Sequence, residues 1–186
     1  MGRLFYTASV SLDGFAADAN GGLDWSVPAE SVFDFHVQRM AAVSTEILGR
    51  TTYQLMQYWQ TFDDPAGTAA EFEFADRWRE IDKIAASSTM TLADLGDRRD
   101  RLVANLSLDE IATIAKDAAG DVAIFGPTTA APAIGAGLVE VFEFFTIPVI
   151  LGAGLPALAA GARLDLKLTD QHTFDNGVIY TRYEPR

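Results

Sequence analysis

Asp121-Val122-Ala123-Ile124-Phe125-Gly126-Pro127-Thr128-Thr129 holds the reading of the fold. Five residues form a short apolar strand, Gly126 closes it, and Pro127 stands where a helix starts, since proline is tolerated in a first helical turn. Ala130 to Ala136 then continues as a small-residue helix. Working outward, the same grammar recurs at Glu46-Ile47-Leu48-Gly49-Arg50-Thr51-Thr52-Tyr53, an apolar run, a glycine, and a helix over Thr51–Gln57. Asp82–Ala86 is a third buried strand, which runs into Ser87-Ser88-Thr89. Open α/β sheets bind ligands at such strand-to-helix turns.

The remaining elements fill in around these turns. Arg3–Ser11 is rich in aromatic and β-branched residues and reads as a strand. Asp13–Pro28, with Asp-Gly, Asn-Gly-Gly and a proline, reads as a long functional loop. Helices are expected over Ala29–Ala42 and Thr68–Trp78. Ser107 to Glu110 is a capping box opening a helix to about Ala119. Arg101–Asn105, Val139–Leu151, Ala162–Thr173 and Val178–Tyr183 complete the strands. Alternating β and α units followed by a strand-rich tail imply an α/β fold. Its mainly parallel sheet should end in antiparallel edges.

The chain has 186 residues, 49% of them apolar, and no internal linker, so it is read as a single domain over 1–186. A domain of this size buries roughly 70% of its unfolded surface. Twenty-six carboxylates against 14 Lys plus Arg leave a net charge of −12, which argues against nucleic-acid and membrane partners. With no cysteine, thiolate chemistry and disulfides are excluded. The two histidines, His36 and His172, have no suitably spaced ligand partners, so no metal is expected. The start of the chain carries no apolar leader, and the expectation is a cytoplasmic protein.

Phosphate binding is one reading of the Gly49 turn, because a helix start aims amides and a positive dipole end at an anion. Arg50 would add a bidentate grip; the other reading is a plain helix start with a surface arginine. Ser87-Ser88-Thr89 either accepts a phosphate or simply turns the chain. Gly152-Ala153-Gly154-Leu155-Pro156-Ala157 fits a dinucleotide pattern, but Pro156 interrupts the helix that pattern requires. It reads as a turn between strands. Glu30, after Trp25 and Pro28, is the best-placed acid, on the expectation that burial and an aromatic neighbour raise its pKa. It would serve equally as a first-turn helical glutamate. The aromatic run Phe142, Phe144 and Phe145 reads as core or as an interface.

In this order the motifs resemble the dihydrofolate reductase superfamily, and within it the reductase domain of bacterial riboflavin-biosynthesis deaminase-reductases. The resemblance is carried by Ser11-Leu12-Asp13-Gly14, Leu23-Asp24-Trp25, Leu48 to Tyr53 and Ser87-Ser88. Gly137-Leu138-Val139-Glu140, the run from Ile147 to Gly154 and the hairpin from Asn176 to Tyr180 extend it over essentially the whole chain. It implies a three-layer fold with helices on both sheet faces and an NADPH-dependent reductase acting on a small pterin- or pyrimidine-type heterocycle. The nearest specific activity is 5-amino-6-(5-phosphoribosylamino)uracil reduction. A non-catalytic nucleotide-binding protein of the same fold is the alternative, and dihydrofolate reductase proper ranks third.

Residue by residue, the resemblance assigns Gly49, Arg50, Thr51 and Thr52 to cofactor phosphates, with Arg50 and Ser87 or Ser88 near the 2′-phosphate. Gly126, Pro127, Thr128 and Thr129 would cradle the pyrophosphate, and Ala17 and Leu23 would line the nicotinamide pocket. Trp25 and Glu30 would meet substrate, with Glu30 as the acid. Asp34 is its substitute, because the spacing from Glu30 to Gly49 is about one helical turn longer than in dihydrofolate reductases. Gly126-Pro127 stands where the family carries a cis Gly-Gly link, so a cis bond is expected there. Glu140-Val141-Phe142 replaces the riboflavin-type Asp-Glu-Leu. Relatives of this type pair through their later strands, which implies a homodimer.

Overall fold

A computed structural model describes residues 2–161 and 163–186. The strands are β1 (Leu4–Ser11), β2 (Phe15–Asp18), β3 (Val43–Gly49), β4 (Asp82–Ala86), β5 (Arg101–Val103), β6 (Asp121–Phe125), β7 (Val141–Ile147), β8 (Gly154–Pro156), β9 (Leu166–Thr173) and β10 (Ile179–Pro185). The helices are α1 (Glu30–Met40), α2 (Arg50–Met56), α3 (Ala69–Glu80), α4 (Leu108–Asp117) and α5 (Pro127–Gly135). Eight strands make one sheet in the order β5-β4-β3-β6-β1-β7-β10-β9. Every pairing from β5 to β7 is parallel, whereas β7–β10 and β10–β9 are antiparallel. The mostly parallel sheet with an antiparallel C-terminal edge is therefore the one the alternating elements imply.

Side-chain alternation along the central strands separates two faces. Leu4 and Tyr6 of β1, Ile47 of β3, Ile84 of β4 and Phe142 of β7 enter one cluster with α4 and α5 residues Ile111, Ala130 and Ala133. Their neighbours in sequence, Thr7, Glu46, Lys83 and Glu143, turn to the face that α1 and α3 cover. There Arg39 of α1 bonds Thr7, and Trp78 of α3 bonds Glu46. Phe142 and Phe145 are both buried, so the aromatic run is core. Capping boxes at Thr68–Glu71 and Ser107–Glu110 start α3 and α4, each worth about 1 kcal/mol.

Three sequence expectations need correction. Asp13–Pro28 is not a plain loop, because Phe15–Asp18 forms β2 against β8, and Asp24–Ser26 makes a 3-10 turn. The strand expected over Val139–Leu151 ends at Ile147, where Pro148 follows and cannot donate to a ladder. The strand expected from Ala162 begins at Leu166, and Ala162 itself lies outside the described residues. The Gly152 pattern is a turn between strands: Gly152 takes φ +75°, and Gly154-Leu155-Pro156 is β8. Among the described residues, no helix is long and apolar enough to cross a membrane.

Candidate functional site

β3 and β6 are neighbours in the sheet, so the turns that follow them meet. Gly49 is the N-cap of α2 and Gly126 the N-cap of α5. Neither helix start receives a side-chain cap, in contrast to α3 and α4, whose first turns are closed by their own capping boxes. The amides of the first turns of α2 and α5 are thus left as donors at one place. Space there is tight. A Cβ at Gly49 would collide with Thr129 Oγ1, and one at Gly126 would sit 3.6 Å from Thr52 Oγ1 and 3.7 Å from Thr129 Oγ1. Two glycines and two threonine hydroxyls therefore line one cleft. Gly49, Thr52, Gly126 and Thr129 are thus brought together.

The Gly126–Pro127 bond is trans, which corrects the expected cis link. Gly126 reaches the required bend through its own torsion, at φ +88°, a conformation glycine takes without a Cβ penalty. Pro127 then enters α5 at a position whose N–H makes no intrahelical bond, so the turn needs no cis bond.

On the β4 side, Arg50 is exposed and its Nη1 donates to Thr89 Oγ1 at 3.2 Å. Ser87 is buried and its Oγ accepts from the amides of Thr89 and Met90, each at 3.2 Å. That hydroxyl builds the turn, and Ser88, Thr89 and Arg50 are the exposed groups around it. Tyr53 holds α2 in place: its hydroxyl donates to Asp100 at 2.6 Å and accepts from the Gly96 amide at 2.9 Å. Burial is the main cause pushing that phenol upward.

On the other side of the cleft, a cavity of about 170 Å³ opens beside β1 and β7. Ser9, Trp25, Pro28, Val32, His36, Phe145 and Asn176 are among its walls. Trp25 anchors its indole N–H on the Gly22 carbonyl at 3.2 Å. Ala17 is buried in β2 and Leu23 half-buried before the 3-10 turn; neither is part of this wall. Glu30 and Asp34 are both exposed and do not line the cavity, so the burial expected for Glu30 is absent. The reason is helical phase. Val32 and His36, four apart, turn inward, which rotates Glu30 and Asp34 to the outside. In sequence Glu30 lies between the lining residues Pro28 and Val32.

Sequence reasoning missed three participants. His36 lines the cavity 4.1 Å, centroid to centroid, from the Phe145 ring. The inward heptad-like spacing Val32–His36–Arg39 was the available signal. Ser9 is visible in β1 only through its alternation with Ala8. Asp13 is a clamp between loops: it accepts from Ser11 Oγ at 2.7 Å and from the amides of Leu151 and Gly152 at 3.1 and 2.7 Å. These bonds, the Ser11 one first, hold its carboxyl below the usual range and tie the β1–β2 turn to the chain after β7. A larger groove of about 480 Å³ lies between α4 and the starts of β3 and β4, at the opposite strand ends from the glycine turns.

Known proteins resemble the chain in sequence and in fold. The chain is 27% identical to the uncharacterized protein YyaP of Bacillus subtilis strain 168, with 97% of this chain and 94% of that protein aligned. A Shewanella sp. PV-4 protein, provisionally assigned to riboflavin biosynthesis, superposes with a TM-score of 0.76 at 24% identity over 99% of both chains. A dihydrofolate reductase from Enterococcus faecalis, complexed with NADP(H) and RAB-propyl, shares the fold with a TM-score of 0.64 at 15% identity, covering 100% of this chain and 97% of that one. A family model, the RibD C-terminal domain, matches residues 3–180, from the approach to β1 into β10. Both glycine turns and the cavity fall inside that span, and the chain belongs to the RibD C-terminal domain family.

Proposed function

We propose that this protein is an NADPH-dependent reductase that delivers hydride to a carbon bonded to nitrogen in a pterin- or pyrimidine-type heterocycle. The observation that carries this reading is the line of binding elements across the strand ends. Arg50 stands beside the β4 turn, the uncapped starts of α2 and α5 follow β3 and β6, and the cavity opens at β1 and β7. Strands are spaced about 4.8 Å apart, so β4 to β1 spans roughly 14 Å, the reach of an extended dinucleotide. Membership of the RibD C-terminal family supports the same reading, and riboflavin synthesis is the nearest specific pathway.

When bound, the cofactor supplies a hydride from its reduced nicotinamide. The amides of Thr51, Thr52, Thr128 and Thr129 hold phosphate oxygens, and Arg50 with Ser88 meets the 2′-phosphate. The Gly49 and Gly126 surfaces let the backbone approach closely. Trp25 keeps water from the reacting carbon, and Ala17 and Leu23 lie near the nicotinamide as the resemblance implies. Glu30, exposed in the first turn of α1, passes a proton to the developing amine, with water as the relay its exposure allows. Asp34 is one turn further along α1 and equally exposed.

Titration with NADPH tests the reading. Binding below tens of micromolar is expected, and its absence would leave only a fold without the proposed cofactor. Arg50→Ala should weaken NADPH by about tenfold and NADH by much less, since only NADPH carries the 2′-phosphate. Equal losses would remove Arg50 from that subsite.

A further inference from the structure

The cavity beside β1 and β7 has a lining that names its occupant more narrowly than the reductase reading does. Among the described residues, none of its lining side chains is charged. Its polar groups are the His36 imidazole, the Ser9 and Ser26 hydroxyls, the Trp25 indole N–H and the Asn176 amide; Ser26 already donates to the Leu23 carbonyl at 2.7 Å and Trp25 to the Gly22 carbonyl at 3.2 Å. Asn176 uses its Oδ1 to accept from the Val178 amide at 3.2 Å, which leaves its NH₂ as a donor. Trp25 and Phe145 add flat apolar surface. The guanidinium behind this wall does not serve the cavity. Arg39 lies 5.6 Å from the Phe145 ring, is paired with Glu143, and donates to Thr7 Oγ1 at 3.1 Å. Arg50, the cation of the cleft, stands beside the β4 turn, three strands from β1.

We infer that this cavity selects an uncharged, non-phosphorylated lactam heterocycle, with His36, Ser9 and Asn176 as the residues that determine its specificity. A lactam edge carries an N–H donor beside a carbonyl acceptor. His36 matches such an edge because a neutral imidazole offers one donor and one acceptor. Burial, reinforced by the nearby Arg39 charge, pushes the His36 pKa down to about 3, so the ring is neutral at physiological pH. A phosphate entering here would find a net charge of −12 around it and no cation in the lining to offset its desolvation. The inference deepens the reductase reading by naming the substrate class. It predicts that a 5′-phosphate on the substrate adds nothing to recognition.

The test uses a matched pair, 5-amino-6-(ribosylamino)uracil and its 5′-phosphate, together with pterin. Each is titrated calorimetrically into the wild-type chain, His36→Phe and His36→Gln, with NADPH titrated separately into all three. His36→Phe keeps a flat ring against Phe145 and deletes both nitrogens; His36→Gln retains a donor and an acceptor. The uncharged probes should bind wild type at least as tightly as the phosphate. His36→Phe should weaken them about tenfold, His36→Gln should recover most of that loss, and NADPH affinity should stay the same in all three. Tighter binding of the phosphate by about tenfold would overturn the inference. So would equal affinities across the three proteins, or failure of both uncharged probes to bind. Failure of NADPH alone would sink the reductase reading and leave the cavity's occupant standing.

Discussion

His36 and Glu46 carry the two pKa shifts with the clearest consequences, and they act in opposite directions. For His36 the native value is about 3 against about 6.5 in an unfolded chain. Between those limits the unfolded state binds a proton that the native state refuses. Its contribution to stability is therefore complete above about pH 6.5 and is lost as the pH falls toward 3. Glu46, fully enclosed beneath Trp78, is pushed up to about 7 by burial, so its contribution is complete at low pH and fades as the pH rises through 7. The His36→Phe variant isolates the first effect. Urea unfolding at pH 7 and pH 4.5 should show that the variant loses about 2 kcal/mol less than wild type over that step. An equal loss in both proteins would mean that His36 is protonated in the native state.

At the scale of the element, α5 shows how one position can be right for folding and costly for binding. Proline at its first position sets φ for the helix and gives up an N–H the helix does not use. That same N–H would otherwise point into the cleft beside the first turn of α2. Pro127→Ala restores it while keeping a good helix former, and NADPH affinity should rise by about threefold to tenfold. An unchanged affinity would show that the phosphates sit nearer α2 than α5. Gly126 sets the limit on such changes: with φ at +88°, any side chain there strains the backbone, so the turn tolerates variation at Pro127 but not at the residue before it.

Across the whole molecule, the face of the sheet under α1 and α3 carries a chain of buried charge, an unusual filling for a core. Lys83 bonds the carbonyls of Trp78 and Ile81, each at 2.8 Å, and lies 4.4 Å from the Trp78 ring centroid. Glu46 follows on β3, and Glu143 on β7 accepts from Thr7, Tyr180 and Arg39. Arg39→Met would leave the Glu143 carboxylate enclosed without its cation, at a cost of about 3–5 kcal/mol in chemical denaturation. Adding Glu143→Gln should return part of that loss; a double variant no better than the single would place the cost in packing. The net charge of −12 has its own consequence at this scale. An NADPH with about four negative charges meets a repulsive surface almost everywhere. On the function proposed above, binding would rest on Arg50 and on amides whose partial charges are fixed by the fold.

Local chemistry was enough to read the α/β alternation, the capping box at Ser107–Glu110, the helix start at Pro127 and the meeting of a strand, a glycine and hydroxyls at Gly49 and Gly126. Each of these is decided within a few residues, by torsion, capping or hydrophobic period. The β2–β8 pair was not legible, because its stability comes from a partner more than a hundred residues away. Nor was the rotation of α1. The period of Ala29–Ala42 identified a helix, but which side faces inward depended on Phe145, Phe174 and Tyr180 packing against it from β7 and the C-terminal hairpin. That rotation turned Glu30 outward and His36 inward. Sequence by itself thus determined where the chain bends. Only tertiary structure decided which side chains line the cavity, because a helix face is chosen by the surface it buries and not by its own residues alone.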